Sequence, residues 1–97
     1  MRTRQRARVP SRDPCPPLGQ ALRERREEIG MTQETLAQAA GLATKRVWQI
    51  ERQGANPTYA TLLALAAAMH VPAELLMLRA RVIAEDRERA KKPARRR

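Results

Sequence analysis

Apolar residues recur at helical spacing through the middle of this chain, with polar residues between them. One face of a first helix collects Leu18, Ala21, Leu22 and Ile29, and Gly30 is well placed to end that helix. Thr32 offers the N-cap of a second, short helix, whose small and apolar residues are Leu36, Ala37, Ala39 and Ala40. Gly41 suits a tight turn with positive φ. The pattern predicts two consecutive helices, each followed by a glycine.

The same spacing continues beyond this turn. A third helix is predicted at residues 44–52, with Val47 and Ile50 facing inward. Residues 53–57 have the composition of a loop, and Thr58 is the expected cap of a fourth helix. The apolar face of that helix is broad and suits the centre of a small bundle; it comprises Leu62, Leu63, Leu65, Ala66 and Met69.

A fifth helix is predicted after the break at Val71-Pro72, because proline suits the first turn of a helix. Its apolar positions are Leu75, Leu76, Leu78, Val82 and Ile83. They indicate either core packing of the last helix or a contact with a second copy of the chain. No stretch alternates as a strand does. The whole pattern predicts an all-α fold, a compact bundle of about five helices.

The charge of the chain is concentrated at its two ends. The net charge is +10 at pH 7. Residues 1–17 carry five arginines and one aspartate, residues 18–78 carry six basic and six acidic groups, and residues 79–97 carry nine basic and three acidic groups. The two ends therefore hold the whole excess, and we expect them to bind anions.

Composition divides the chain into three parts. Residues 1–17 contain four prolines and almost nothing apolar, so burial cannot offset the entropy of folding and a disordered basic arm is expected. Residues 18–78 hold the helical pattern. Residues 79–97 are expected to form a helix extension and a basic tail.

Several classes of function lack their signatures. Cys15 is the only cysteine, which excludes an internal disulfide and a cysteine-based zinc site and favours a reducing cytoplasm. No apolar run approaches a membrane span, and the arginine-rich start lacks the apolar stretch of a secretory signal. His70 is the only histidine and has no acidic cluster beside it. No phosphate loop or nucleophile motif occurs, so we expect no enzyme activity, no cofactor and no metal.

Residues 18–76 resemble the XRE/Cro-type helix-turn-helix family. The matching features are Met31-Thr32-Gln33, Leu36-Ala37, Ala40-Gly41, Val47, Ile50-Glu51-Arg52, Asn56-Pro57, Leu62, Leu65-Ala66 and Val71-Pro72-Ala73-Glu74-Leu75-Leu76. Each feature is weak alone, but together they are in register and without gaps. The resemblance implies a helical bundle that places the second of two glycine-linked helices in the major groove of duplex DNA.

The resemblance implies a recognition helix that begins near Ala43 or Thr44. At 100° per residue, the inward direction of Val47 and Ile50 turns Lys45, Trp48, Gln49 and Arg52 outward. In this family, base edges are faced by the positions that match Thr44, Lys45, Trp48 and Gln49. Lysine can donate to guanine, glutamine can pair with adenine, and threonine can do either or contact a thymine methyl group.

Three further residues are expected at the DNA backbone. Gln33 matches a family position that holds a phosphate. Arg46 lies toward the flank of the recognition helix, which suits a phosphate better than a base. Arg52 on the outward face is also expected to contact phosphate.

Two residues depart from the family pattern. Trp48 occupies a position where small or polar residues are commoner, and we expect it to lie against thymine methyl groups or sugars. The alternative is that it folds over the flank of the bundle. Ala43 stands where the family often has a capping serine, and Thr44 is expected to supply the cap instead.

Arg26 and Glu51 are expected to form an ion pair, because family members often join this glutamate to an arginine of the first helix. Such a pair would lock the recognition helix onto the first helix. The alternative is two separate surface charges that contribute little.

The expected function is a sequence-specific DNA-binding transcriptional regulator, repressor-like and homodimeric, because one recognition helix reads too few base pairs alone. Two alternatives stay open: the antitoxin of a toxin–antitoxin pair, and the controller protein of a restriction–modification operon. The basic ends are expected to add affinity for DNA of any sequence or to bind a protein partner. The expected location is a bacterial or phage-type cytoplasm, on the nucleoid.

Overall fold

The structure, a computed structural model, describes residues 16–91 and holds five helices over that range. They are α1 (Pro17–Glu28), α2 (Gln33–Ala40), α3 (Thr44–Arg52), α4 (Tyr59–Ala68) and α5 (Ala73–Lys91). Residues 16–91 contain no strand. The predicted all-α bundle of five helices is confirmed. The expected disordered arm lies outside the described residues up to residue 15, and so do residues 92–97 of the basic tail.

Threonine and glycine set the ends of the short helices. The hydroxyl of Thr32 accepts a hydrogen bond from the Thr35 backbone N–H at 2.9 Å, and Thr58 caps α4 in the same way. Gly41 ends α2 with φ at 75°, a conformation that glycine adopts without steric cost. This left-handed residue turns the chain sharply, so that α3 begins only three residues after it.

Helix α3 has the predicted bounds, but its N-cap differs from the sequence expectation. Ala43 is the N-cap residue, with an extended backbone and no hydrogen bond from its side chain, and Thr44 is already the first helical residue. Because a capping side chain must stand on the residue before the helix, the expectation that Thr44 caps α3 is wrong. The side chain of Thr44 is exposed instead.

Every helix contributes to one hydrophobic core. Its members are Leu22 from α1, Leu36 and Ala37 from α2, Val47 and Ile50 from α3, Leu62, Leu65 and Ala66 from α4 with Met69 beyond its end, and Ala73 and Leu76 from α5. The apolar face of α4 is narrower than predicted, because Leu63 is exposed. At 100° per residue, Leu63 lies to one side of the direction shared by its buried neighbours.

The long helix α5 packs along α1 and leaves part of its apolar surface exposed. Arg79 reaches Glu28 of α1 at 2.9 Å, and Arg87 hydrogen-bonds Gln20 of the same helix. The hydrogen bond from Arg79 lowers the pKa of the Glu28 carboxyl group below its ordinary value. Only Ala73 and Leu76 of α5 are buried, so the other apolar residues of this helix are not part of the core.

No single helix within residues 16–91 is long and apolar enough to cross a membrane. Helices α4 and α5 reach the necessary length and apolar composition only when taken together, and they meet at a bend of 101°.

Candidate nucleic-acid interface

On the outward face of α3, four side chains make no hydrogen bond or ion pair with the rest of the described protein. Thr44 and Lys45 are exposed, Trp48 is 42% exposed, and Gln49 is half-buried. None of these four side chains hydrogen-bonds or ion-pairs within the described part of the chain. An unbonded row of donors, with one large aromatic group, is therefore available to a molecule that lies against α3.

The opposite edge of α3 is fixed by a buried ion pair. The guanidinium group of Arg26 donates to both carboxylate oxygens of Glu51, through Nε at 2.8 Å and Nη2 at 3.1 Å. Its third nitrogen donates to the backbone oxygen of Met31 at 2.8 Å. Glu51 is 0% exposed, so the pair is shielded from water and its two parallel bonds fix the angle between α1 and α3.

Gln33 joins the same cluster from the start of α2. Its side-chain amide donates to Glu51 Oε1 at 3.0 Å, a contact that the sequence analysis missed because the two residues lie 18 positions apart. An amide nitrogen carries two N–H groups, so one remains for the predicted phosphate contact. Helices α1, α2 and α3 therefore meet at one carboxylate.

Gly19 allows α1 to lie directly on the end of α3. A Cβ atom at this position would stand 2.7 Å from the backbone oxygen of Ile50 and closer still to that of Glu51. Real Cβ atoms essentially never come that close to backbone atoms, so only glycine fits here. The signal was present in the sequence as a glycine inside a helix, where it is ordinarily unfavourable.

The two arginines predicted at phosphates lie on different parts of α3. Arg46 is half-buried and donates to the backbone oxygen of Asn56 at 3.3 Å, which ties α3 to the loop before α4. Arg52 is exposed in the last turn. Both stand beside the outward face.

The surface of α3 is positively charged although residues 18–78 are neutral in sum. The helix carries three cations, Lys45, Arg46 and Arg52, and its one carboxylate, Glu51, is buried and paired with Arg26. The remaining acidic groups of this region lie on α1, α2 and the first turn of α5. Counting charges along the sequence does not reveal this positive surface, because the count does not distinguish buried from exposed charges.

The titratable side chains of the described residues do not form a metal site. Residues 16–91 contain no group of three or more His, Cys, Asp or Glu side chains placed to hold a metal ion. His70 is exposed in the turn between α4 and α5, with φ at 57°. It lies two residues beyond the end of α4.

Two short helices joined through a left-handed glycine, the second with a cationic outward face, define a helix-turn-helix DNA-binding domain. Residues 22–76, more than half of the chain, match the model of the helix-turn-helix family. The chain belongs to this family, of the XRE type, and is a DNA-binding transcriptional regulator.

Solved structures of several regulators are similar. The restriction–modification controller protein C.AhdI from Aeromonas hydrophila is 38% identical with a TM-score of 0.61, covering 63% of this chain and 92% of its own. The biofilm master regulator SinR, in complex with DNA, is 31% identical with a TM-score of 0.59 over 62% of this chain and 97% of its own. The DNA-binding domain of the phage P22 C2 repressor is 28% identical with a TM-score of 0.60 over 62% and 79%. No curated protein matches the chain significantly.

Proposed function

We propose that this chain is a repressor-like regulator that reads a specific duplex sequence with Thr44, Lys45, Trp48 and Gln49 of α3. The observation that carries the proposal is the division of α3 into a fixed inner edge and an unbonded outer face. Lysine and glutamine side chains that make no bond in the free protein can pair with guanine and adenine edges. They do so without first breaking an intramolecular contact.

Phosphate contacts by Gln33, Arg46 and Arg52 are part of the same proposal. Arg46 and Arg52 flank the base-reading row on α3, and Gln33 stands at the start of α2, the other helix of the motif. Such contacts fix the orientation of a helix in the groove and carry no sequence information. The bond from Gln33 to Glu51 would hold its amide in place for this contact.

The proposal includes a homodimer that uses the exposed side of α5. Leu75, Leu78 and Val82 are each 45–52% exposed, and at 100° per residue they fall on one side of the helix. They border an open groove of about 540 Å³ whose wall also includes Val71 and Pro72. A contiguous apolar surface of this kind on a small domain marks a contact site, and two copies would read two symmetric half-sites.

Selection of binding sites from random duplex DNA tests the function directly. We expect an enriched site of two inverted halves, and footprinting should protect two major-groove faces about one helical turn apart. Gln49→Ala should lose preference at one base pair in each half, a change of about 1–3 kcal/mol in discrimination. Gln53→Ala, at an exposed glutamine just beyond α3, is the matched control. A pool without enrichment would contradict the function. If Gln49→Ala weakens binding to all sequences equally, Gln49 does not read a base.

Control of a restriction–modification operon is a second candidate, supported by the match to C.AhdI over nearly all of that chain. The selected site should then lie upstream of genes for a restriction enzyme and a methyltransferase. A reporter behind that site should respond to the protein. An adjacent toxin gene, with a complex between the two products, would favour the antitoxin alternative instead.

A further inference from the structure

Trp48 is the only tryptophan of the chain, and it does not belong to the hydrophobic core. It is 42% exposed on α3, one turn after Thr44 and three residues after Lys45. Leaving so large an apolar group in water loses burial free energy that a core position would provide. Its position in the middle of the proposed reading face indicates that DNA supplies the missing contact.

The chemistry of the indole ring limits what Trp48 can recognise. Its single N–H is a donor and the ring offers no acceptor, so tryptophan cannot form the paired hydrogen bonds by which lysine or glutamine distinguishes bases. Its remaining surface is apolar. The major groove presents one apolar group among its base edges, the C5-methyl group of thymine. A cytosine methylated at C5 carries the same group at the same place.

We propose that Trp48 determines specificity by packing on the C5-methyl group of a pyrimidine in the major groove. The inference rests on the proposed DNA reading by α3. Three residues of helix advance about 4.5 Å, and successive bases of one strand are about 3.4 Å apart. Side chains three residues apart on α3 can therefore reach neighbouring base pairs, and we expect the methyl group on a base pair next to the one that Lys45 contacts.

The experiment replaces single thymines by uracil in the duplex obtained from random-sequence selection. This change removes one methyl group and leaves every hydrogen-bonding atom in place. At one position in each half-site, the native protein should bind the uracil duplex about fourfold more weakly, the equivalent of about 0.8 kcal/mol for one buried methyl-sized group. The Trp48→Ala variant should bind both duplexes equally. Trp48→Leu, which keeps an apolar side chain, should retain part of the difference.

A second pair of duplexes identifies the source of the methyl group. At the sensitive position, 5-methylcytosine and cytosine are compared within the same C·G pair. Tighter binding to the methylated duplex means that any pyrimidine methyl group is read, and equal binding means that thymine alone is read. Both results support the proposal as long as the uracil effect depends on Trp48.

The fluorescence of Trp48 provides an independent measurement, since no other tryptophan contributes. Its emission should change on binding the thymine duplex and change less on binding the uracil duplex. Melting curves of both variants establish that they are folded. The proposal is overturned if the native protein binds the selected duplex but no thymine-to-uracil change depends on Trp48. It is equally overturned if Trp48→Ala alters only self-association. Failure to select any site would instead contradict the proposed function, sequence-specific DNA binding by α3.

Discussion

Glu51 is a fully buried carboxylate on which three helices converge. Removing such a charge from water is unfavourable unless its oxygens are hydrogen-bonded and its charge is paired. Arg26 of α1 and Gln33 of α2 meet both requirements here. A hydrophobic residue could fill the same volume, but it would not specify the angle of α3. The ion pair therefore acts mainly by orienting the recognition helix, and stability depends on keeping both partners.

Arg26→Ala should destabilise the domain far more than Arg23→Ala. Without Arg26 the Glu51 carboxylate is buried without its charged partner, which costs about 3–5 kcal/mol. Arg23 pairs with Glu27 on the surface, with both side chains at least 40% exposed, and such pairs contribute about 0.3–0.5 kcal/mol. Urea unfolding followed by circular dichroism measures both variants. Equal unfolding midpoints would show that the buried pair does not stabilise the fold.

Helix α1 positions α3 through shape as well as charge. Gly19 brings the α1 backbone onto the last carbonyl groups of α3, seven residues before Arg26 makes its ion pair. Two contacts, about two turns apart on α1, restrain α3 at its C-terminal end. In the N-terminal half of α3, Val47 is buried in the core while Thr44 and Lys45 are exposed.

Gly19→Ala tests the close contact between α1 and α3, because the contact reverses the usual sign of the change in stability. In an exposed helix the change to alanine usually stabilises by about 0.5–1 kcal/mol. Here the added methyl group meets the backbone of Ile50 and Glu51, and overpacking of this kind costs about 1–3 kcal/mol. We expect a lower melting temperature and weaker DNA binding, because α3 must shift. A variant more stable than the native protein would mean that α1 and α3 separate easily.

Most helix boundaries followed from local signals in the sequence. Thr32 and Thr58 cap the helices they were predicted to cap, and Gly41 has the expected positive φ. These features depend on a few neighbouring residues, so the sequence contains them. The prediction failed for the cap of α3: this helix begins at Thr44, as predicted, so the capping position is Ala43, whose side chain makes no hydrogen bond.

The site was less accessible from the sequence than the fold. The resemblance indicated a pairing of Arg26 with Glu51, but the bond from Gln33 depends on how α2 and α3 cross. The positive surface of α3 was also missed, because it arises from the burial of Glu51 and not from the number of charges. Whether a charge or a leucine is exposed depends on neighbouring helices, and spacing along one helix does not contain that information.

At the scale of the molecule, residues 16–91 leave an apolar surface on α5 uncovered. Leu75, Leu78 and Val82 are exposed beside the face through which Leu76 and Arg79 of the same helix contact the bundle. A second copy would cover these residues and set the distance between the two recognition helices. The spacing of DNA half-sites would then follow from α5.

Val82→Glu should separate the proposed dimer while leaving the fold intact, because it places a charge at the centre of the contact. Binding to the full two-part site should weaken at least about a hundredfold as the second recognition helix is lost. Met77→Glu is the matched control, since Met77 is 52% exposed, against 45% for Val82, and lies on a different side of α5. Light scattering during gel filtration reports the mass. A dimer that survives Val82→Glu would place the interface elsewhere.

Helix α3 has an inner edge bonded to α1 and α2 and an outer face whose side chains make no such bond. This division has a consequence for how such a protein evolves. The side chains of Thr44, Lys45, Trp48 and Gln49 make no hydrogen bond with the residues that keep the bundle folded. If these four residues read the operator as proposed, a substitution among them should alter the preferred sequence and lower the melting temperature far less than a substitution of Glu51. After gene duplication, one copy would then acquire a new target without a compensating change in the interior. The stability of the fold and the choice of DNA target would thereby evolve independently.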